Sequence, residues 1–328
     1  MWTLLKTVLF VVLEVAFPVA VLVSGIVLLI ISSDKAVEHS VYLASALGIS
    51  SLMIGLVLAS IGTDLPEIAN SIISCWSGHG DIDLGDSIGS VLAQITLVFG
   101  LIAFFGREFR VKRKEVLWIG AFEVIALVLV VLVALTGFTR VKALLLIASW
   151  PVFIFIIRRF VKKEIADIGR VVPRKERHYL HHLVIAILGF AGVGIGALAV
   201  VQSIIMLSNR LNIPEFFISF FVLGIGTSVP EFVIDLTAIR KRQYELAVGD
   251  ILGSCIVDAT ISPAIGQLLF PTPVFIEAAG RAIRLALYTI LASTVVTFTL
   301  TLREKVDRKL GALFIIIYLI SYLLVYVT

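Results

Sequence analysis

The sequence predicts an all-α polytopic membrane protein, with ten transmembrane helices arranged as two inverted five-helix repeats. Three observations predict it. Hydrophobic residues make up 59% of the 328 positions and charged residues 15%, and the mean hydropathy of +1.09 lies far from that of a water-soluble domain. Apolar runs of spanning length recur along the whole chain. Two polar motifs in the first half return in the second at a constant offset of 164 residues.

The apolar runs fall at 7–32, 40–75, 83–105, 116–136, 141–160, 180–208, 212–239, 246–270, 280–302 and 310–327. Their connections are short and leave no room for a soluble domain. The second and seventh exceed the roughly 20 residues needed to cross a bilayer. Each carries a Gly/Thr/Pro cluster, so both are expected to tilt or break. The first run follows Lys6 and precedes small residues, as a secretory leader would. However, Glu14 interrupts its apolar core and the repeat needs this segment, so it reads as a helix.

The net charge of +4 is explained by where the basic residues fall. With ten spans and both termini outside, the inside connections hold Lys35, the cluster from Arg107 to Lys114, the run from Arg158 to Arg177, Arg240 to Arg242, and Arg303, Lys305, Arg308 and Lys309. The outside set is smaller: Lys6, Arg140, Lys142, Arg210, Arg281 and Arg284. That is a positive-inside distribution. It makes 158–178 a cytoplasmic linker and divides the chain into a first repeat at 1–160, a linker at 161–179 and a second repeat at 180–328. A nucleic-acid partner is not expected, and the lipid bilayer is the surrounding medium. Cys75 and Cys255 have neither disulfide-framework nor zinc spacing and read as packing residues.

The repeat itself is specific. "IGTDLPE" at 61–67 recurs as "IGTSVPE" at 225–231, and "LGDSIGS" at 84–90 recurs as "VGDILGS" at 248–254, all in one register. An odd number of spans per half makes the copies run in opposite directions. Inverted repeats with interrupted helices near the bilayer midplane are the architecture of secondary transporters.

Within the motifs, Ser60, Thr63, Asp64 and Glu67 stand at helical spacing on one face, and Gly224, Thr227, Ser228 and Glu231 repeat that stripe. Pro66 and Pro230 lack an N–H, which releases backbone carbonyls near Gly62, Thr63, Gly226 and Thr227. Ser90 with Gln94, and Ser254 with Asp258, add an i, i+4 pair each. The glycines Gly85, Gly89, Gly249 and Gly253 permit close helix approach. The convergent groups are oxygen-rich: carboxylates of Asp64, Glu67, Glu231 and Asp258, hydroxyls, and released carbonyls. Hard cations such as Ca²⁺ and Na⁺ select such ligands, whereas zinc or copper would call for His and Cys. A single Ser or Thr in a membrane helix is usually helix glue. The carboxylates are different, because each costs at least about 2.5 kcal/mol near the bilayer centre and no Lys or Arg in these segments offsets it.

These residues resemble those of the cation/Ca²⁺ exchanger superfamily, within it the microbial Na⁺/Ca²⁺ exchanger branch, and the resemblance spans the whole chain. It implies exchange of Ca²⁺ against Na⁺ by alternating access. It implies Ca²⁺ ligands at Glu67, Glu231 and the backbone oxygens of Thr63 and Thr227. It implies Na⁺ or H⁺ ligands at Ser60, Asp64, Ser90, Gln94, Gly224, Ser228, Ser254 and Asp258. This chain departs from the branch at Asp64, usually Ser, and at Gln94, usually Asn or Asp. The family's asparagines are also replaced, by Asp86, Val91, Asp250 and Cys255. Asp64 sets a fourth carboxylate beside Glu67, which makes H⁺ the alternative counter-ion.

No enzyme activity and no cofactor beyond the transported ions is expected. An intramembrane hydrolase using Asp86 and Asp250 would want a GxGD signature that is missing, and an ATP-driven pump would want a Walker A sequence. A channel remains the non-enzyme alternative. Asp86 and Asp250 read as N-terminal helix caps. His79, His178, His181 and His182 fall at segment ends, where solvated side chains are expected, and Trp2, Trp76 and Trp118 read as interfacial anchors. Glu14, Glu123 and Asp235 interrupt apolar runs; Asp235, four residues after Glu231, is a candidate extension of the ion path. The expected setting is a prokaryotic cell membrane.

Overall fold

The computed structural model describes residues 15–32, 34–35, 38–39, 60–106, 108–161, 179–240, 244–274 and 279–326. They are helical almost throughout. In chain order the helices are α1 (Val15–Ser32), α2 (Ser60–Thr63), α3 (Leu65–Trp76), α4 (Gly80–Phe105), α5 (Arg113–Leu135), α6 (Arg140–Val161), α7 (Tyr179–Leu211), α8 (residues 215–227), α9 (Val229–Arg240), α10 (Tyr244–Asp258), α11 (Ser262–Leu269), α12 (Ala279–Arg303) and α13 (Arg308–Tyr326). Among the described residues, eight helical stretches are long and apolar enough to cross a membrane. Most of the expected second span (40–59), most of the basic linker (162–178), Trp2, Lys6, Glu14 and His178 lie outside the described residues.

The distribution of side chains is that of a lipid-embedded bundle. Large apolar residues such as Leu145, Phe155, Leu188, Phe298 and Leu323 are exposed on its flanks, while Asp64, Glu67, Gln94, Glu231 and Asp258 are buried. In water the reverse would be expected; in lipid the outer face gains nothing by being polar, and backbone groups must bond within the helices. Around the polar centre lie three apolar clusters. One joins α4, α5, α10 and α12, another joins α4, α8 and α11 to α5 and α12, and a third seats α1 on α7.

Helix packing brings the halves together. α4 lies along α8, α3 along α11 and α7, α13 along the end of α4, and α5 along α12. The α4–α8 contact needs glycine. A Cβ at Gly89 would meet the Phe220 backbone, with its Cα 2.7 Å away, and one at Gly85 would meet the Phe216 carbonyl at 2.6 Å. From the other side, a Cβ at Gly224 would lie 2.8 Å from the Ser90 nitrogen. Backbone thus rests on backbone where the two motifs cross.

A two-residue antiparallel ribbon, β1 (Phe109–Arg110) with β2 (Lys305–Val306), closes one end of the bundle. Phe109 stacks on Tyr244 at 5.4 Å between ring centroids. Asp307 caps α13 by accepting the Leu310 N–H at 2.9 Å, and that bond holds its carboxyl below the usual range.

Because the atoms facing Gly89 are backbone and have no rotamer to yield, Gly89→Val is expected to destabilise the protein by about 1–3 kcal/mol. A thermal melt of the detergent-purified variant checks this, and an unchanged midpoint would contradict the close α4–α8 contact.

Candidate cation site

Both proline motifs interrupt their helices at the same place. α2 gives way to α3 at Asp64, with φ −82° and ψ 8°, and α8 gives way to α9 at Ser228, with φ −81° and ψ 4°. These positions are one repeat apart, and both sit in the sparsely populated bridge region of backbone space. The physical cause is Pro66 and Pro230, each in the first turn of the following helix, where a missing N–H is tolerated. The expected breaks in the second and seventh runs are therefore present.

Three further irregularities have no signal in the motifs. Residues Ala93–Val98 of α4 form a π-helical turn, as do Ser219–Leu223 of α8. In the second half the helix stops at Asp258 and resumes at Ser262. Gln94 and Asp258, again one repeat apart, thus both stand where a helix loses its regular ladder. Such distortions frequently accompany functional sites. Gly and Pro signals mark the motif breaks; no comparable signal marks the π-turn at Gln94.

The polar contacts between the halves are reciprocal under the 164-residue offset. The hydroxyl of Thr63 lies 3.4 Å from that of Ser254, and that of Thr227 lies 3.2 Å from that of Ser90. Thr63 neighbours Glu231, and Thr227 neighbours Glu67. Gln94 and Asp258, which occupy the same repeat position, bond directly, the amide donating to the carboxylate at 3.0 Å. Val91 and Cys255, another matched pair, also meet.

Oxygen atoms converge here without enough donors. Carboxylate oxygens of Asp64, Glu67 and Asp258 lie within 4.8 Å of one another, and all three residues are buried. Glu231 is close enough to repel Asp64, Glu67 and Asp258. Glu67 accepts from Ser90 at 3.4 Å, and Asp258 accepts from Ser262 at 3.1 Å and from Gln94. Both oxygens of Asp64, both of Glu231 and one of Glu67 have no hydrogen-bond partner. Among the described residues no Lys or Arg forms an ion pair with any of the four. Buried carboxylates require compensation by paired charge or hydrogen bonds. A hard cation held by oxygen ligands supplies it.

The remaining expected ligands take defined places. Ser60 donates to Asp250 at 3.4 Å. Ser228 turns back to its own helix, donating to Gly224 O at 2.7 Å. Its hydroxyl oxygen remains able to accept. The reading of Asp86 and Asp250 as helix caps is corrected. Asp86 lies inside the first segment of α4 and Asp250 inside α10, both buried. The backbone N–H groups there already have partners in their helices, so the carboxyls look elsewhere. Asp86 accepts from Asn70 at 3.1 Å, Thr227 at 3.3 Å and Ser90 at 3.5 Å.

Of the histidines expected to be solvated, His181 is exposed, whereas His79 and His182 are engaged. His79 pairs with Glu215 at 2.8 Å, and His182 meets the buried His39 at 2.8 Å. Trp76 is exposed at a helix end, as an anchor should be, whereas Trp118 packs partly buried against the core. Both cysteines are buried and free. Cys255 reaches Gln94 at 3.4 Å, and Cys75 reaches Asp83 at 3.4 Å. Glu123 and Asp235 are fully buried. Asp83 is also buried, and its counterpart at the repeat offset is Ala247, so the repeat gives no signal for it.

A family model described as sodium/calcium exchanger protein matches residues 17–158 and 181–327, which takes in every residue of this cluster. The chain belongs to the sodium/calcium exchanger family. One relative, an uncharacterised membrane protein of Methanocaldococcus jannaschii, is 28% identical over 299 residues, covering 90% of this chain and 94% of its own length. The sodium/calcium exchanger MaX1 of Methanosarcina acetivorans is 26% identical over 296 residues, covering 77% of this chain and 83% of its own. A solved structure of the sodium-calcium exchanger NCX_Mj superposes with a TM-score of 0.58 at 27% identity, covering 94% of this chain and 99% of the other. The H⁺/Ca²⁺ exchanger CAX superposes with a TM-score of 0.73 at 14% identity, covering 97% and 88%, a likeness of fold alone.

For this family member, the donor deficit at Asp64 predicts stabilisation by cations in the purified state. Millimolar Ca²⁺ or Na⁺ is expected to raise the melting midpoint, by the equivalent of about 2.7 kcal/mol at a hundredfold excess over Kd. Asp64→Asn is expected to reduce the gain. Scanning fluorimetry against a choline control measures it, and identical midpoints in all salts would count against a cation here.

Proposed function

We propose that the chain is a secondary active antiporter that exchanges Ca²⁺ for Na⁺ across a prokaryotic cell membrane by alternating access. One observation carries the reading: reciprocal Thr–Ser and Thr–Glu contacts from the two halves surround buried carboxylate oxygens that lack donors. In this reading Glu67 and Glu231 hold Ca²⁺ together with the backbone oxygens of Thr63 and Thr227. Na⁺ is held around Ser60, Asp64, Ser90, Gln94, Gly224, Ser228, Ser254 and Asp258. The architecture is ten spans in two inverted repeats, 1–160 and 180–328, with both termini outside and the basic linker in the cytoplasm. The reciprocity of the contacts and the matched backbone breaks at Asp64 and Ser228 support that arrangement. Membership in the exchanger family supports the substrates.

The mechanism follows from charge. Asp64, Glu67, Glu231 and Asp258 together carry more negative charge than one Ca²⁺ cancels, so the empty cage is costly and the loaded one tolerable. Each half-cage hangs from a helix interrupted by proline, so small rotations of one half against the other change which side the oxygens face without dismantling them. An unloaded cage resists that passage because its carboxylates would repel one another in a low-dielectric interior. Coupling then needs no energy source other than the gradients.

A specific observation favours a second counter-ion. Asp64 stands where the second half has Ser228, and neither of its oxygens has a partner. A proton on Asp64 removes one surplus charge, which makes a Ca²⁺/H⁺ antiporter the runner-up. The solved exchangers NCX_Mj and CAX bear names with different counter-ions and share this fold, so the choice rests on site residues.

Two experiments test these readings. In proteoliposomes, an outward Na⁺ gradient is expected to drive ⁴⁵Ca²⁺ uptake and an imposed pH gradient is not; pH-driven uptake that disappears in Asp64→Ser would reverse the assignment. Glu67→Gln and Glu231→Gln are each expected to cut Ca²⁺ exchange to about the background of empty vesicles, since removal of a first-rank anionic ligand weakens a Ca²⁺ site most. Full exchange in either variant would place Ca²⁺ elsewhere.

A further inference from the structure

Beyond the four carboxylates of the cage, the second half holds another pair that the proposed mechanism leaves unused. The carboxyl of Asp235, on α9, lies against that of Asp250, on α10. Asp235 is 0% exposed and Asp250 3%. Both oxygens of Asp235 and Oδ2 of Asp250 have no hydrogen-bond partner. Among the described residues the one hydroxyl that donates to the pair is that of Ser60, 3.4 Å from Asp250 Oδ1. Two buried carboxylates pressed together without a donor between them repel strongly unless something positive joins them.

The first half shows what the same framework looks like when it is satisfied. The position matching Asp250 is Asp86, and the position matching Asp235 is Ser71. Asp86 accepts from Asn70, Thr227 and Ser90, three neutral donors, while Ser71 accepts the Gly266 N–H at 3.1 Å. One half therefore closes its acid off with amide and hydroxyl groups. At the position matching Ser71 the other half sets a carboxyl, Asp235, and leaves both of its oxygens open.

Asp235 follows Glu231 by one helical turn, about 6 Å further along the axis, toward the end of α9 that carries Arg240. Resting on the exchanger reading above, we infer that Asp235 and Asp250, with the Ser60 hydroxyl, form a second Ca²⁺ station on the path between the Glu67–Glu231 cage and the membrane face at the Arg240 end of α9. Two carboxylates match the charge of one divalent ion, and the hydroxyl adds a third hard oxygen. Ser60 touches Asp250 and is also an expected ligand of the cage, so the two stations share an edge. An ion on the second station repels one in the cage, which assists release in the way that adjacent sites do in multi-ion pathways.

Equilibrium dialysis of the full-length, detergent-purified protein against ⁴⁵Ca²⁺ in Na⁺-free buffer tests the assignment. The wild type is expected to bind Ca²⁺ at two sites of different affinity. Asp235→Ser, which copies the first half, and Asp235→Asn are each expected to lose the weaker site and keep the tighter one. Glu231→Gln is expected to lose the tighter and keep the weaker. A wild type that saturates at one Ca²⁺ per chain, a result that depends on no variant folding, overturns the station. So does an Asp235→Ser protein that retains both sites. If one site is found and Glu231→Gln removes it, the exchanger reading survives and the station alone falls. If wild type binds no Ca²⁺, both fall.

Discussion

The constraint on which the rest of the structure depends is the scarcity of hydrogen-bond donors around buried carboxylates. An apolar bundle has no water with which to solvate an anion, and these segments carry no basic side chain to pair with one. Every oxygen of Asp64, Glu67, Glu231 and Asp258 must therefore be met by a hydroxyl, an amide or a cation. Ser90, Ser262 and Gln94 meet some of them, and the remainder stay open. That deficit sets the cluster apart from helix glue, which would be satisfied.

Holding such a cluster in place demands a close framework. Glycines at the crossing of α4 and α8 let main chain rest on main chain, which brings the Ser90 and Thr227 hydroxyls within 3.2 Å. The breaks at Asp64 and Ser228 and the irregular turns at Gln94 and after Asp258 redirect the side chains inward. These departures flank residues that contact one another across the halves. Apart from the π-turn at Ser219–Leu223 of α8, the other helices are regular and largely apolar, and α5 packs along α12, with the short ribbon β1–β2 at one end.

Much of this was legible in the sequence. The apolar runs gave helix positions close to those observed: 83–105 corresponds to Gly80–Phe105, 141–160 to Arg140–Val161, and 280–302 to Ala279–Arg303. The proline motifs located both breaks because proline acts through local backbone chemistry, which one sequence reveals. What stayed hidden depends on partners distant in the chain. Asp86 looks like a cap beside Gly85, and only the approach of Asn70 and Thr227 shows it to be a buried acceptor. The π-turn at Gln94 has no composition signature, and the pairing of Asp235 with Asp250 joins residues whose spacing along the chain carries no periodic signal.

The direct bond between Gln94 and Asp258 has a consequence for energetics. These residues are counterparts at the repeat offset, and identical residues there would make this contact its own image. Instead one is neutral and the other is an acid, bonded at 3.0 Å. In the proposed alternating-access cycle this difference makes the two orientations inequivalent before any gradient is applied. On the proposed exchanger reading the cycle then has a resting side, set by which counterpart carries the charge.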